Sequence, residues 1–181
     1  KLRALHGKGE GDGSRGRIGI PFGLNMYENL PFWFTFFTKL NFEVVLSPES
    51  SRGIYLKGQH TIPSDTVCYP AKLLHGHVEA LVEAGVDAIW YPCMSYNNDE
   101  GIGDNHYNCP VVAYYPELLA ANVPALKKTK FLDPYVGLWR HKDCAKRLSE
   151  LFYTEFQIPK KETTAADATA YDSANAYGVD V

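Results

Sequence analysis

A strand, a helix and a second strand follow one another within thirty residues near the start of the chain. Residues 17–21 (RIGIP) predict a short buried strand, and residues 42–46 (FEVVL) predict a second. Between them, residues 29–40 predict a helix with Asn29 as N-cap and Pro31 in the first turn. Strands joined in this way pair in parallel through a right-handed crossover. This unit restricts the fold more than any other feature of the sequence.

The alternation continues to the end of the chain. It predicts helices at 70–84, 116–122 and 142–156, and strands at 86–91, 111–114 and 130–132. We therefore expect an α/β fold, a three-layer α/β/α sandwich with a mostly parallel sheet and Rossmann- or flavodoxin-like topology. The predicted division is a flexible lead or linker at 1–16, the cysteine-bearing domain at 17–160, and a weakly helical tail at 161–181 that continues into a longer protein.

Composition excludes several classes of protein. Hydrophobic residues make up 45% of the chain and charged residues 22%, as in globular proteins. A net charge of −3 gives no reason to expect nucleic acid or an anionic membrane as a partner. Four cysteines in 181 residues are too few for a disulfide scaffold, so we expect a reducing, cytoplasmic setting. The common phosphate-binding loops and hydrolase or kinase motifs do not occur.

Three of the four cysteines, Cys68, Cys93 and Cys109, lie next to or one residue from a proline. Proline ends helices and strands, so we expect these cysteines at the ends of elements, where three thiols can converge. Thiolates are the ligands of iron–sulfur centres. The intervals of 25 and 16 residues lack the close pair usual in zinc sites, and three buried structural cysteines are the alternative interpretation. Cys144 is predicted to be an ordinary helix residue.

Histidines near these cysteines leave two interpretations open. His106 precedes Cys109 by three residues and would complete a Cys3His zinc site, although a surface or supporting histidine is favoured. His75 and His77 are two residues apart on a predicted helix, so they face different ways and cannot chelate one ion. We expect one of them to be exposed and the other packed.

The helix at 29–40 is aromatic on nearly all sides. The positions that follow helical spacing and should face the sheet are Trp33, Phe36, Phe37 and Leu40. Phe32 and Phe34 fall outside this stripe. They indicate either one large aromatic core or an interface, and we expect them to border a contact with another copy or another domain.

Four segments of the chain resemble, in sequence and in order, segments of one protein family. They are RIGIPFGLNMYENLPFWFTFF, TIPSDTVCYPAKLLHGHVEAL, IWYPCMSY and DNHYNCPVVAYYPE, and their most specific parts are SDTVCYPAK, YPC and HYNCPV. Over residues 17–161 the chain resembles the large activator-type proteins related to 2-hydroxyacyl-CoA dehydratases. These proteins are often described as CoA-substrate-specific enzyme activases or activators of 2-hydroxyglutaryl-CoA dehydratase.

The resemblance implies an iron–sulfur cluster of [4Fe–4S] or double-cubane type, ligated by Cys68, Cys93 and Cys109. A fourth iron position would stay open, and an ATP-driven activator would deliver one electron. The implied function is electron relay in anaerobic metabolism. The implied partners are other domains of the parent protein or dehydratase subunits, with a homo-oligomer as a further expectation.

The resemblance does not extend to catalysis by this domain. The ATPase phosphate motifs of long activators are missing from the sequence, and the dehydratase itself needs two different subunits. We therefore assign no catalytic residue and expect no activity from the domain alone, and an isolated fragment is expected to lose its cluster readily. A non-catalytic structural or zinc-binding α/β module is the alternative, and a metal-free domain that binds a small molecule is a third.

Overall fold

A computed structural model describes residues 12–96 and 104–176, and these residues form one parallel sheet. Its strands are β1 (Arg17–Ile20), β2 (Glu43–Leu46), β3 (Ala88–Trp90) and β4 (Lys130–Leu132). The strand order is β2-β1-β3-β4, and each neighbouring pair is parallel. The connection from β1 to β2 therefore runs toward one edge of the sheet, and the connections from β2 through β3 to β4 run toward the opposite edge. The direction reverses between β1 and β3, where ligands bind in many open α/β sheets.

Six α-helices cover the two faces of the sheet in the described residues. They are α1 (Leu30–Lys39), α2 (Arg52–Gly58), α3 (Tyr69–Glu83), α4 (Pro110–Asn122), α5 (His141–Phe156) and α6 (Lys160–Ala176). Because crossovers are right-handed, α1 lies on one face and α3 and α4 on the other. Helix α6 packs on α1 and α5, and α2 packs on α3. The predicted three-layer α/β/α sandwich is confirmed.

Most predicted elements are confirmed to within two residues, but the strand predicted at 111–114 is wrong. Those residues lie in α4, which begins at Pro110. Proline at the first helical position already has a helical φ and lacks only an N–H that has no intrahelical partner there. The strand preference of Val111 and Val112 is weak, and the helix buries Tyr115 and Leu119 in the core.

An aromatic stack joins α1 to the sheet and to α5, as the helical spacing predicted. The ring centres of Trp33 and Trp90 are 4.9 Å apart, and those of Phe36 and Phe152 are 5.2 Å apart. Phe37 contacts both Trp90 and Phe152. We call these five buried residues the aromatic face.

The expectation that Phe32 and Phe34 stay open to a contact with another copy is wrong, because both are buried within the chain. Helix α6 packs over α1 and places the ring of Tyr171 with its centre 4.8 Å from that of Phe32. A hydrogen bond of 3.0 Å between Thr35 Oγ1 and Ser173 Oγ also joins the two helices. A homo-oligomer formed through another surface stays a prediction.

The segment predicted as a weakly helical tail forms α6. Its buried alanines, Ala166, Ala170 and Ala174, are small enough for it to approach α1 closely. Arg15 also forms an ion pair with Glu162 at the start of α6. The predicted division of the chain at residues 16 and 160 stays a prediction, and residues 1–11 lie outside the described part.

The described helices include none that could span a bilayer, since none is both long and apolar enough.

Candidate metal centre at the carboxyl edge of the sheet

The three proline-associated cysteines lie at the carboxyl edge of the sheet. Cys93 follows β3 by three residues, Cys68 is the N-cap of α3, and Cys109 is the N-cap of α4. A helix that connects parallel strands runs antiparallel to them, so its amino end lies where the strands end. The topology therefore brings the three element ends to one edge. We call this region the cysteine edge.

Cys68 and Cys109 occupy matching positions on neighbouring helices. Each has a non-helical backbone, and each carbonyl accepts the first helical hydrogen bond, from Lys72 N at 3.2 Å and from Ala113 N at 2.9 Å. Neither side chain caps its helix, and both residues are exposed. The amino end of a helix carries partial positive charge and attracts anions. Both thiols are therefore available for an anionic metal group.

Cys93 is fixed and buried, with only 1% of its surface exposed. Its N–H donates to Pro134 O at 2.9 Å, and its carbonyl accepts from Val136 N at 3.1 Å, which extends the contact between β3 and β4. Burial raises the pKa of the Cys93 thiol to about 11, and the charges of Glu117 and Asp133 add to this effect. A bound metal would lower the pKa of this thiol instead, since a coordinating thiol loses its proton.

Two buried tyrosines, Tyr91 and Tyr115, interact electrostatically with the cysteines. Burial raises the pKa of Tyr115, on α4, to about 12, and the charge of Cys68 raises it further. Burial also raises the pKa of Tyr91, which is further raised by its neighbours Tyr115 and Cys93. Tyr115 thus interacts with Cys68, and Tyr91 interacts with both Tyr115 and Cys93.

The hydroxyl of Tyr115 is held by a buried histidine. Thr61 donates its one hydroxyl hydrogen to Gly58 O at 2.8 Å, so it accepts the hydrogen bond from His75 Nδ1 at 2.7 Å. Nε2 of the neutral ring then accepts from Tyr115 Oη at 3.0 Å. Burial lowers the pKa of His75 to about 4, which keeps the ring neutral at physiological pH.

Tyr91 and Asn25 carry unsatisfied polar atoms at this edge. The Tyr91 hydroxyl and Asn25 Oδ1 are buried and have no hydrogen-bond partner within the described residues. Buried hydroxyls normally have partners. The Tyr91 phenol also interacts electrostatically with Cys93, and a thiolate or sulfide is the kind of acceptor that its hydroxyl lacks. The donor set, three free thiols and an unpaired hydroxyl donor, therefore fits an iron–sulfur group in its chemistry.

A site for one metal ion is not assembled. Across residues 12–96 and 104–176, no group of three or more His, Cys, Asp or Glu side chains is arranged to hold a metal ion. His106 lies against the ring of Tyr96, with ring centres 5.8 Å apart. The hypothesis of a Cys3His zinc site thus has no support in the described residues. The polar loop predicted at 97–108 lies partly outside them, at 97–103.

The expectation that one of His75 and His77 is exposed is wrong, because both are buried. They do face different ways, and His77 contacts Ser47 and Ser50 instead, at 2.8 and 2.9 Å. The reason is the close crossing of α2 and α3, which covers the histidine region of α3. A Cβ atom on Gly76 would lie 1.7 Å from the Ile54 carbonyl oxygen, so only glycine fits there.

Cys144 lies in α5, as predicted, and is buried. Burial raises its pKa to about 12. It also lines a cavity that Cys93 lines, which no sequence pattern indicates. Tyr91, Tyr115 and Asn25 were not predicted as site residues either. Only Tyr91 had a local signal, since it directly precedes Pro92-Cys93.

These features define the class of protein as a parallel α/β domain with free cysteines at the carboxyl edge of its sheet. The chain belongs to the family described as CoA enzyme activase uncharacterised domain (DUF2229), which matches residues 17–181. The resemblance to the activator-related proteins is thereby confirmed. Neither the curated proteins nor the solved structures gave a match.

Proposed function

We propose that this domain binds an iron–sulfur cluster through Cys68, Cys93 and Cys109 and relays electrons in a 2-hydroxyacyl-CoA dehydratase activator-type protein. One observation carries the proposal. Three free thiols lie at one edge of the sheet, and a buried, unpaired tyrosine hydroxyl lies near the most rigid of them. Membership of the activase family supports the activator role.

A bound cluster would supply one-electron transfer, and the chain's own residues would hold it and adjust its environment. The amino ends of α3 and α4 favour an anionic group between them. The Tyr91 hydroxyl would donate to sulfur, and hydrogen bonds to sulfur are one of the factors that set a cluster's reduction potential. His75 holds the Tyr115 hydroxyl in place beside Cys68.

The burial pattern indicates how a partner would approach. Cys93 is buried, whereas Cys68 and Cys109 are exposed at the same edge of the sheet. An electron donor or acceptor could therefore reach the group from the side of the two helix caps. We propose that these partners are dehydratase components or other domains of the parent protein. Four free cysteines suit the reducing, cytoplasmic setting that we propose for it.

Anaerobic reconstitution tests the proposal. The protein is incubated with ferrous iron, sulfide and a thiol reductant, desalted, and assayed for iron and sulfide. We expect about four of each per chain for one cubane, and an electron paramagnetic resonance signal after reduction. A protein that retains neither iron nor sulfide contradicts the proposal.

A structural or zinc-binding module is the alternative function. The buried Cys93, with its raised pKa, favours it, because inert structural cysteines have this character. The same preparation distinguishes the two functions when zinc is offered alone. Retention of one zinc per chain with no iron or sulfide would support the alternative.

A further inference from the structure

A cavity of about 270 Å³ lies beyond the ends of β3 and β4, at the amino end of α5. Three aromatic residues line it, Tyr96, Tyr135 and Trp139. Two arginines, Arg140 and Arg147, also line it. The cavity has both flat apolar surfaces and cationic groups, which is the usual composition of a small-molecule site.

The aromatic wall is held in place by its neighbours. The rings of Tyr96 and Trp139 have their centres 4.6 Å apart, and the Arg140 guanidinium lies 4.2 Å from the centre of the Trp139 ring. The Nε1 edge of Trp139 lies against Gly137, where a Cβ atom would be 2.8 Å from the indole Nε1. Only glycine leaves room for the indole in this position.

Positive charge exceeds negative charge in the cavity wall. Asp143 is the acidic residue there, and it forms an ion pair of 3.6 Å with Arg140. Both side chains of that pair are mostly exposed, so the pair is weak. Arg147 makes no ion pair or hydrogen bond within the described part of the chain. Its guanidinium is therefore available to an anionic ligand.

We propose that this cavity binds a planar organic carboxylate. A guanidinium matches a carboxylate with two parallel hydrogen bonds, which favours Arg147 as the anion-binding group. Trp139 is 41% exposed despite its contacts with Tyr96 and Arg140, so part of its ring stays open to the cavity, where a flat ligand body can pack. The volume of the cavity is sufficient for a ligand that consists of one substituted ring. Cys93, a proposed cluster ligand, also lines the cavity, so the ligand is tested on protein without iron.

The ligand class is tested with benzoate on iron-free protein. Calorimetry measures the affinity, and the indole N–H resonances of the three tryptophans locate the site. We expect saturable binding that shifts Trp139 and leaves the fully buried Trp33 and Trp90 unchanged. Benzamide, which has the same shape without the charge, and inorganic phosphate, which has charge without a ring, should bind at least tenfold more weakly.

Two variants assign the residues, with one matched control. Arg147→Gln should weaken benzoate binding at least tenfold, because it removes the charged hydrogen bonds. Gly137→Ala should also weaken it, because the new methyl group displaces Trp139 while both arginines remain. Arg52→Gln removes the same charge from an exposed position on α2 and should leave binding unchanged.

Several results would overturn the proposal. They are the absence of saturable benzoate binding, phosphate or benzamide binding as tightly as benzoate, full affinity in Arg147→Gln, or a shift at Trp33 or Trp90 in place of Trp139. Near-ultraviolet circular dichroism checks that each variant is folded. Iron and sulfide retention is measured on separate samples, so failure of this proposal is distinguishable from failure of the proposed cluster.

Discussion

The aromatic face and the cysteine edge of this domain are built in opposite ways. Trp33, Phe36, Phe37, Trp90 and Phe152 are completely buried and fill the space between α1, the sheet and α5. At the cysteine edge, two thiols are exposed and a cavity borders Cys93. The packing that stabilises the fold and the proposed ligand binding are thus separated in space. A region that must accept a ligand cannot also be packed for maximum stability.

Unpaired polar atoms occur in both regions but have different surroundings. The indole N–H groups of Trp33 and Trp90 are unpaired within the described residues, yet they belong to large rings whose burial outweighs one lost hydrogen bond. The Tyr91 hydroxyl lies near a thiol at the edge of the sheet. We infer that it serves a ligand there rather than the stability of the fold.

The largest effect is expected in the aromatic face. Trp33→Ala should lower the free energy of unfolding by about 3–5 kcal/mol, because it removes a buried ring and leaves a cavity. Urea unfolding followed by circular dichroism measures the change. Tyr153→Ala on α5 is the control, since that side chain is half exposed and should cost about 0.5 kcal/mol or less. Equal costs for the two variants would contradict the assignment of stability to this face.

A pair of variants uses pH to compare a buried histidine beside the cysteine edge with a buried carboxyl group on α6. Burial lowers the pKa of His75 to about 4, so the unfolded state binds the extra proton between pH 4 and 6.5, and stability from this group rises with pH. Burial raises the pKa of Asp167, on α6, to about 7, so the folded state binds the extra proton between pH 4 and 7. Stability from Asp167 therefore falls as pH rises and is lost through pH 7.

The two groups have opposite effects on the pH dependence of stability in the wild-type protein. Each variant should therefore reveal the effect of the group that remains. Asp167→Asn should become more stable from pH 4 to 6.5, and His75→Gln less stable from pH 4 to 7, each by about 2 kcal/mol. Urea midpoints measured in steps of 0.5 pH units test this. Parallel pH profiles for the two variants would show that neither burial effect is present.

The smallest effect on stability is expected from Tyr91→Phe. Removal of a buried hydroxyl without a partner should leave the iron-free protein equally stable or up to about 1 kcal/mol more stable. Tyr115→Phe is the matched variant and should lower stability by about 1 kcal/mol, because it breaks the hydrogen bond to His75. In reconstituted protein, Tyr91→Phe should also lower the reduction potential. A clear loss of stability in Tyr91→Phe would show that its hydroxyl supports the fold.

The fold could be predicted largely from local patterns, whereas the site could be predicted only in part. Apolar runs and proline positions indicated all four strands and the position of Cys93 at the end of β3. The strand predicted at 111–114 failed because two valines suggested a preference that Pro110 and tertiary packing override. Burial of Phe32 by α6 depends on a contact across more than 130 residues, which no local pattern contains.

The surroundings of the cysteines show the same limit. Tyr115, His75 and Thr61 come from three separate elements and meet only when α3, α4 and the 3₁₀ turn Gln59–Thr61 pack together. Arg147 lines a cavity next to Cys93 although 54 residues separate them in sequence. Site residues that are marked by their sequence neighbours could be predicted. Site residues that come together only through packing could not.

The central claim is that the cysteine edge holds an iron–sulfur cluster, and the most direct test counts iron in four serine variants. Cys68→Ser, Cys93→Ser, Cys109→Ser and Cys144→Ser are reconstituted anaerobically beside the wild type and assayed for iron and sulfide per folded chain. We predict that each of the first three loses most of the about four irons bound by the wild type, and that Cys144→Ser retains them. Full iron content in any of the first three, or its loss in Cys144→Ser alone, would contradict the assignment.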